Sequence, residues 1–215
     1  MTKYDINVKI QLCKIPRVKK APQKVRGNNM KEMHINLEAA TNYLVQLFYQ
    51  TDKRYSCTRT KLGKLLAIVA FKYARQGIIV FNEPIYEYGE NCGAIIGGLA
   101  ILVDRDAYLN YQYLDTKDLS VDKVIDDERE RSAFIPEKYK KTDGIPGDVK
   151  DCIKDVFARF GGYTAPLIGQ FINDLIYLPN IINDNRVIDL HKIYELSKDD
   201  VVGITDKRLI RYLFK

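Results

Sequence analysis

The segment between Thr58 and Gly77 constrains the fold most, because its apolar residues recur at the spacing of a helix. Thr58 is a typical N-cap residue and Gly77 a typical residue just beyond a helix C-terminus, so a helix is predicted between them. One face of this helix is apolar and consists of Leu62, Leu65, Leu66, Val69, Ala70 and Tyr73. A helix with such a face needs other elements packed against it. A mainly helical domain is therefore expected.

The same segment carries a second pattern, a stripe of cations. Lys61, Lys64, Lys72 and Arg75 fall within about 80° of one another on the helix, and Ile68 lies in their middle. If exposed, this stripe would suit an acidic partner with an apolar anchor. If the helix is buried on two sides, the long side chains would instead extend their charged ends to solvent. The sequence leaves both interpretations open, and the stripe is the first candidate for a partner-binding surface.

Three further helices are predicted from periodicity and capping residues. The first runs from Leu37 to about Gln50 with Asn36 as its N-cap. Another, from Val149 to Phe160, would be capped by Asp148 and stopped by the glycine pair that follows. Thr164 would cap a third, with Pro166 in its first turn, where a missing N–H does no harm.

Short apolar runs predict a small β component. A strand at Ile78–Phe81 and a returning strand at Ile85–Tyr88 would form a hairpin around Asn82-Glu83-Pro84. The run Ala94–Val103 fits a strand or a helix equally well. Residues 6–12 alternate as in a half-buried strand. The expected class is mainly α within α+β: a helical domain with a small β-hairpin or sheet and a strand-like N-terminal leader.

Three parts are expected along the 215 residues. Residues 1–33 form a basic leader, 34–180 a helical domain with a surface excursion at 115–147, and 181–215 a C-terminal extension. The extension is expected to hold a turn capped at Ser197 and a terminal helix after Thr205.

Charge is concentrated in the leader. Residues 1–33 contain nine cations and two acids, so they hold more positive charge than the net +6 of the whole chain. Such a leader is either a solvated linker or a segment that lies along nucleic acid. The candidate nucleic-acid-binding residues are Lys14, Arg17, Lys19, Lys20, Lys24 and Arg26.

Motifs for catalysis, metals and cofactors are missing from the sequence. The glycines between Gly89 and Gly98 match neither nucleotide-binding fingerprint. There is no CxxC pair, and His34 and His191 are the only histidines. We therefore predict no enzyme activity, metal or cofactor, and free thiols at all four cysteines, with Cys152 in the core.

Apolar runs are also shorter than the ~18 residues that a membrane-spanning helix needs, and the N-terminus lacks a signal-peptide pattern. A soluble cytoplasmic protein without a membrane partner is expected.

The order of the motifs resembles the Panacea domain of SocA-like antitoxins, which are common in bacteria and phages. The resemblance covers roughly residues 35–180. It is carried by three segments: Cys57-Thr58-Arg59-Thr60-Lys61-Leu62-Gly63-Lys64-Leu65-Leu66, Ile79-Val80-Phe81-Asn82-Glu83-Pro84-Ile85, and the helix Asp148–Phe160 followed by Gly161-Gly162-Tyr163-Thr164-Ala165. The chain departs from the family pattern after Tyr88-Gly89 and by having no tryptophan, so it resembles a divergent member.

The resemblance implies an antitoxin that neutralises a co-encoded protein toxin by direct contact. The candidate contact residues are the basic stripe and the tyrosines Tyr108, Tyr111 and Tyr113, because tyrosine gives a large contact area at small entropic cost. The alternative is a phage or mobile-element protein, either a DNA-binding regulator that uses the leader or an inhibitor of a host defence complex. The sequence names neither the partner nor the oligomeric state.

Overall fold

The structure is a computed structural model. It describes residues 30–51, 57–87, 93–97, 119–126, 129–136, 142–177, 181–183, 185–204 and 206–215, with backbone alone for 119–136. The helices are α1 Leu37–Gln50, α2 Arg59–Ala74, α3 Gly147–Phe160, α4 Ala165–Tyr177, α5 Leu190–Glu195 and α6 Arg208–Leu213. The strands are β1 Lys31–Glu32, β2 Ile78–Ile79, β3 Ile85–Glu87, β4 Ala94–Ile96, β5 Leu119–Asp126 and β6 Arg129–Pro136. The mainly helical α+β prediction is confirmed.

Helix α2 is the centre of the fold. It contacts α1, α3, α4 and α5 as well as the strands β2 and β4. Every residue from 61 to 71 is buried, so α2 is covered around its whole circumference, as is typical of a central helix. This arrangement explains why residues from both of its faces belong to the core.

The predicted caps of α1 and α2 are confirmed. The Asn36 side chain accepts a hydrogen bond from the Ala39 backbone N–H at 3.2 Å, and the Thr58 hydroxyl accepts one from the Lys61 N–H at 3.4 Å. Each cap satisfies one of the N–H groups that the first turn of a helix leaves without a partner.

The predicted cap of α3 is wrong. This helix begins at Gly147, with Pro146 in the N-cap position and no side-chain cap. Asp148 lies inside the first turn, where its carboxylate accepts a hydrogen bond from the Tyr73 hydroxyl at 3.1 Å. The carboxylate therefore joins α3 to α2 and does not cap its own helix. The predicted stop at Gly161-Gly162 is confirmed.

The predicted strand pairing is also wrong. β2 pairs in parallel with β1, with Lys31 opposite Ile78, while β3 pairs antiparallel with β4, with Ile85 opposite Ile96. The segment before α1 pairs with β2 through hydrogen bonds from Lys31 N to Gly77 O and from Met33 N to Ile79 O. The bend at 82–84 therefore connects strands of two different sheets. Within the ambiguous run, Ala94–Ile96 is a strand and residues 98–103 lie outside the described residues.

Helix α4 approaches β4 closely at two glycines. Gly93 has a φ of +70°, and a Cβ atom at this position would lie 2.8 Å from the Gly169 Cα. Only a glycine both adopts this backbone conformation readily and allows so short a distance between two backbones.

The C-terminal segment packs into the same core as the rest of the domain. Ile193, Leu209 and Leu213 are buried members of the main hydrophobic cluster. Isolated bridges join Tyr86 to Val187 and Ile182 to Ile188. The predicted turn is present, with the Asp200 N–H donating to the Ser197 hydroxyl at 3.3 Å, and the terminal helix is α6.

The region predicted as a surface excursion contains the antiparallel pair β5–β6, whose register runs from Leu119 opposite Pro136 to Asp126 opposite Arg129. The leader before Met30, including its predicted strand, lies outside the described residues. Among the helices that the structure describes, none combines the length and the apolar character needed to cross a bilayer.

Candidate functional site

The basic stripe of α2 is buried at Lys61, Lys64 and Ile68 and partly buried at Lys72 and Arg75, so it does not form the exposed surface that partner binding would need. Lys61 is 3% exposed, Lys64 2% and Ile68 0%. The helix is buried on two sides, as the alternative interpretation of the sequence held. Periodicity correctly grouped these residues on one face, but other parts of the chain cover that face.

The charged ends of Lys64 and Lys72 are bonded to backbone carbonyl groups. The Lys64 Nζ donates to the Ala165 carbonyl at 2.6 Å, and the Lys72 Nζ donates to the Tyr212 carbonyl at 2.9 Å. Burial lowers the pKa of Lys72. Because a buried ammonium needs such partners, these lysines attach α2 to α4 and α6.

Arg75 makes the most extensive of these contacts. Its Nη1 donates to the carbonyl oxygens of Ile193, Tyr194 and Leu196 at 3.0, 2.8 and 2.6 Å. Its guanidinium carbon lies 4.2 Å from the centre of the Phe214 ring, and burial lowers its pKa. The cation neutralises the carbonyl end of α5, a favourable place for positive charge. The cations of the stripe thus hold α2 to α4, α5 and α6 of the same chain.

A groove between α4 and α6 is a candidate binding site on the described surface. It is open and has a volume of about 570 Å³. It is lined by Gln170, Phe171, Asp174, Asp206, Lys207, Arg208 and Arg211. The sequence predicts the terminal helix but not the groove. Its only signal in the sequence was the group of cations at 207–211.

Arg208 is held inside this groove by aromatic rings. Its guanidinium carbon lies 5.1 Å from the centre of the Phe171 ring and 5.3 Å from that of Tyr163. Its side chain is 51% exposed, and its Nε is 3.6 Å from the Asp206 carboxylate. The rings restrict the guanidinium by cation–π contact while half of the side chain stays open to solvent.

The two acids of the groove interact with the start of α6. The Asp206 carboxylate accepts the Arg208 backbone N–H at 3.0 Å. Burial raises the pKa of Asp174, the charge of Asp206 adds to this rise, and a hydrogen bond with the Asp206 backbone partly offsets it. Both carboxylates are therefore engaged locally in an open groove, an arrangement suited to binding.

A second polar cluster lies where α4 ends. Glu87 is 6% exposed, accepts a hydrogen bond from the Tyr177 hydroxyl, and pairs with the Arg186 guanidinium at 2.7 Å through Nε and 2.6 Å through Nη2. Arg186 has a φ of +60°, and its carbonyl accepts the Glu87 N–H at 2.8 Å. The cluster joins β3 and the end of α4 to the turn at residues 185–186.

Helix geometry connects this cluster to the groove. At 100° per residue, Gln170, Asp174 and Tyr177 fall within about 60° of one another on α4. A continuous strip of α4 surface therefore leads from the groove to the cluster.

The other predicted residues are placed as follows. Cys57 and Cys152 are free thiols; Cys57 is fully buried and Cys152 half-buried, so the core thiol is Cys57. Burial raises the pKa of both. Some of the predicted residues lie outside the described part of the chain: Cys13, Cys92, Tyr108, Tyr111, Tyr113 and the six candidate leader cations Lys14, Arg17, Lys19, Lys20, Lys24 and Arg26. Across the residues whose placement is described, no three His, Cys, Asp or Glu side chains form a group that could hold a metal ion.

No protein-family model, curated protein or solved structure matches this chain. The residues of the groove and of the Glu87 cluster are therefore the basis for a functional proposal.

Proposed function

We propose that this protein is an antitoxin-like binding protein, which neutralises a cognate protein toxin by direct contact through the groove between α4 and α6. The observation that carries the proposal is the position of Arg208, half exposed in the groove and restrained by Tyr163 and Phe171. Arginine is enriched among the residues that dominate binding energy at protein interfaces. A side chain already restrained loses less entropy when it binds.

The contact with a protein partner has to extend beyond the groove. A stable protein interface covers about 800 Å² on each partner, which is more than the groove alone offers. The strip formed by Gln170, Asp174 and Tyr177 continues the surface along α4. The order of motifs that resembles the Panacea domain supports a toxin as the partner.

In the alternative function, the leader is the segment that binds the partner. Six cations and no acid lie between residues 14 and 26, a composition suited to binding along phosphates. A DNA-binding regulator, or an inhibitor of a host defence complex, would use this segment and would not require the groove.

Co-expression distinguishes the two functions. The product of the adjacent reading frame is expressed alone and then together with this chain, and growth and co-purification are measured. Arg208→Glu should abolish both rescue and co-purification, whereas Lys154→Glu, a charge reversal at an exposed position on α3, should preserve them. Replacing Lys14, Arg17, Lys19, Lys20, Lys24 and Arg26 by Gln should also preserve rescue. Rescue that survives Arg208→Glu but is lost with the six leader substitutions would contradict the proposal.

A further inference from the structure

The exposed charged residues of the groove are cations, whereas its two acids, Asp174 and Asp206, are partly buried. Asp206 bonds the backbone of Arg208, and Asp174 is partly buried against Asp206. Lys207, Arg208 and Arg211 are all exposed. Lys207 is the residue just before α6, and its carbonyl accepts the Arg211 backbone N–H at 2.8 Å. The two cations are therefore one turn apart at the start of α6.

The geometry of Arg208 suits a carboxylate. A guanidinium presents a planar set of N–H donors that can bind both oxygens of a carboxylate at once. The rings of Tyr163 and Phe171 restrain this plane. A carboxylate that reaches the groove therefore meets donors that need little rearrangement.

A peptide fits the mixed charge of the groove better than a nucleic acid does. A single nucleic-acid strand carries a phosphate charge about every 3.4 Å, so some phosphates would lie against Asp174 and Asp206. A peptide can place isolated carboxylates at the cations and neutral residues beside the two acids. On the basis of the proposed binding function, we infer that the groove between α4 and α6 binds an acidic peptide segment of the partner, with Arg208 as the anchor and Lys207 and Arg211 beside it.

Fluorescence anisotropy on the full chain tests this inference with defined probes. The probes are a labelled decapeptide of alternating Glu and Ser, its Lys-Ser counterpart, and a labelled single-stranded DNA of ten nucleotides. The Glu-Ser peptide should bind and the Lys-Ser peptide should not. The cations of the leader also attract polyanions. Binding of the Glu-Ser peptide by itself therefore does not locate the binding site, so variants with matched charge are compared.

Two pairs of variants locate the binding. Arg208→Gln should weaken Glu-Ser binding about tenfold, because it removes charged hydrogen bonds to a carboxylate, whereas Lys154→Gln removes the same charge on α3 and should have little effect. Asp174→Asn should tighten binding about threefold by removing a like charge, whereas Asp151→Asn, on exposed α3 surface, should not. A gain of affinity in the Asp174 variant is not an effect of unfolding.

Each alternative outcome overturns the inference. Equal effects of Arg208→Gln and Lys154→Gln would place the peptide elsewhere, for example on the leader. If the DNA, and not the peptide, responded to the Arg208 and Asp174 variants, the groove would be a nucleic-acid site. If neither probe responded while Arg208→Glu still abolished rescue in co-expression, the proposed function would stand and the acidic peptide would be rejected.

Discussion

The Lys72 ammonium lies 2.9 Å from the carbonyl oxygen of Tyr212 and 4.9 Å from the centre of its ring, although 140 positions separate the two residues. Arg75 makes comparable contacts with the carbonyl groups at the end of α5. Both cations belong to the stripe that resembled a partner-binding surface. The stripe does bind hydrogen-bond acceptors, but these are uncharged backbone carbonyl groups of the same chain.

Lys72→Met should lower the free energy of unfolding by about 1–2 kcal/mol, because it keeps the aliphatic chain but leaves the Tyr212 carbonyl without its donor. Urea unfolding at pH 7 measures the change. Lys154→Met, an exposed lysine on α3, is the control and should change stability little. Equal effects of the two substitutions would show that the contact with Tyr212 contributes nothing.

Three glycine substitutions separate steric overlap from backbone strain. Gly93→Ala combines a φ of +70° with a Cβ 2.8 Å from Gly169, whereas Gly144 has a φ of +83° with open space around it, and Gly147 has open space without a positive φ. Gly93→Ala should cost about 3 kcal/mol or more and Gly144→Ala about 1 kcal/mol. Gly147→Ala should be neutral or slightly stabilising, since Gly147 begins α3. Denaturant unfolding gives the three values, and a Gly93 variant no worse than the Gly144 variant would disprove the close approach of β4 and α4.

The pair formed by Glu87 and Arg186 should be strongly coupled. Arg186→Ala removes one cation from a carboxylate with 3% side-chain exposure, which keeps the Tyr177 hydroxyl as a donor. Because the Arg186 side chain itself is 61% exposed, the cost should be about 2 kcal/mol, below that of a fully buried pair. Glu87→Gln should reduce that cost when the two changes are combined, which a double-mutant cycle measures. The exposed pair of Arg159 and Asp155 is the control and should show a coupling below about 0.5 kcal/mol. Additive effects at Glu87 and Arg186 would contradict the arrangement.

Stability should fall as the pH rises above 9, with Cys152 as one cause. Burial raises the pKa of Cys152 from 9.0 to about 11. Between these values the unfolded chain has lost the thiol proton and the folded chain has kept it, so ionisation favours unfolding and the thiol's contribution is lost as the pH rises through this window. Cys152→Ala should therefore flatten the decline in urea midpoint between pH 9 and pH 11. An unchanged slope would contradict the assignment, and Cys57, Tyr73 and Tyr212, whose pKa values are also raised, would account for the decline.

The sequence predicted features that depend on neighbouring residues. The caps at Asn36 and Thr58 were found because the capping side chain and its partner are three positions apart. Helix periodicity likewise identified which residues of α2 share a face. The cap at Asp148 failed because a distant residue, Tyr73, takes its carboxylate.

Features that depend on residues far apart in the chain could not be predicted from local sequence patterns. Nothing near Ile78 shows that its strand partner is Lys31 and not the following strand. Nothing near Lys64 shows that the Ala165 carbonyl will cover it. The groove is of the same kind, because it exists only where α6 packs against α4, and that packing joins segments with no common local pattern.

The burial of α2 by the C-terminal helices also governs when the domain can fold during synthesis. The central helix leaves the ribosome early, but Tyr212, which accepts from Lys72, and Leu213, which completes the apolar cluster, are translated long afterwards. Until then, lysines and leucines of the nascent helix lack their final neighbours, and such delayed long-range contacts slow folding. A stop codon ahead of α6 would therefore release a product with an incomplete interior, prone to aggregation or to proteolysis in the cell.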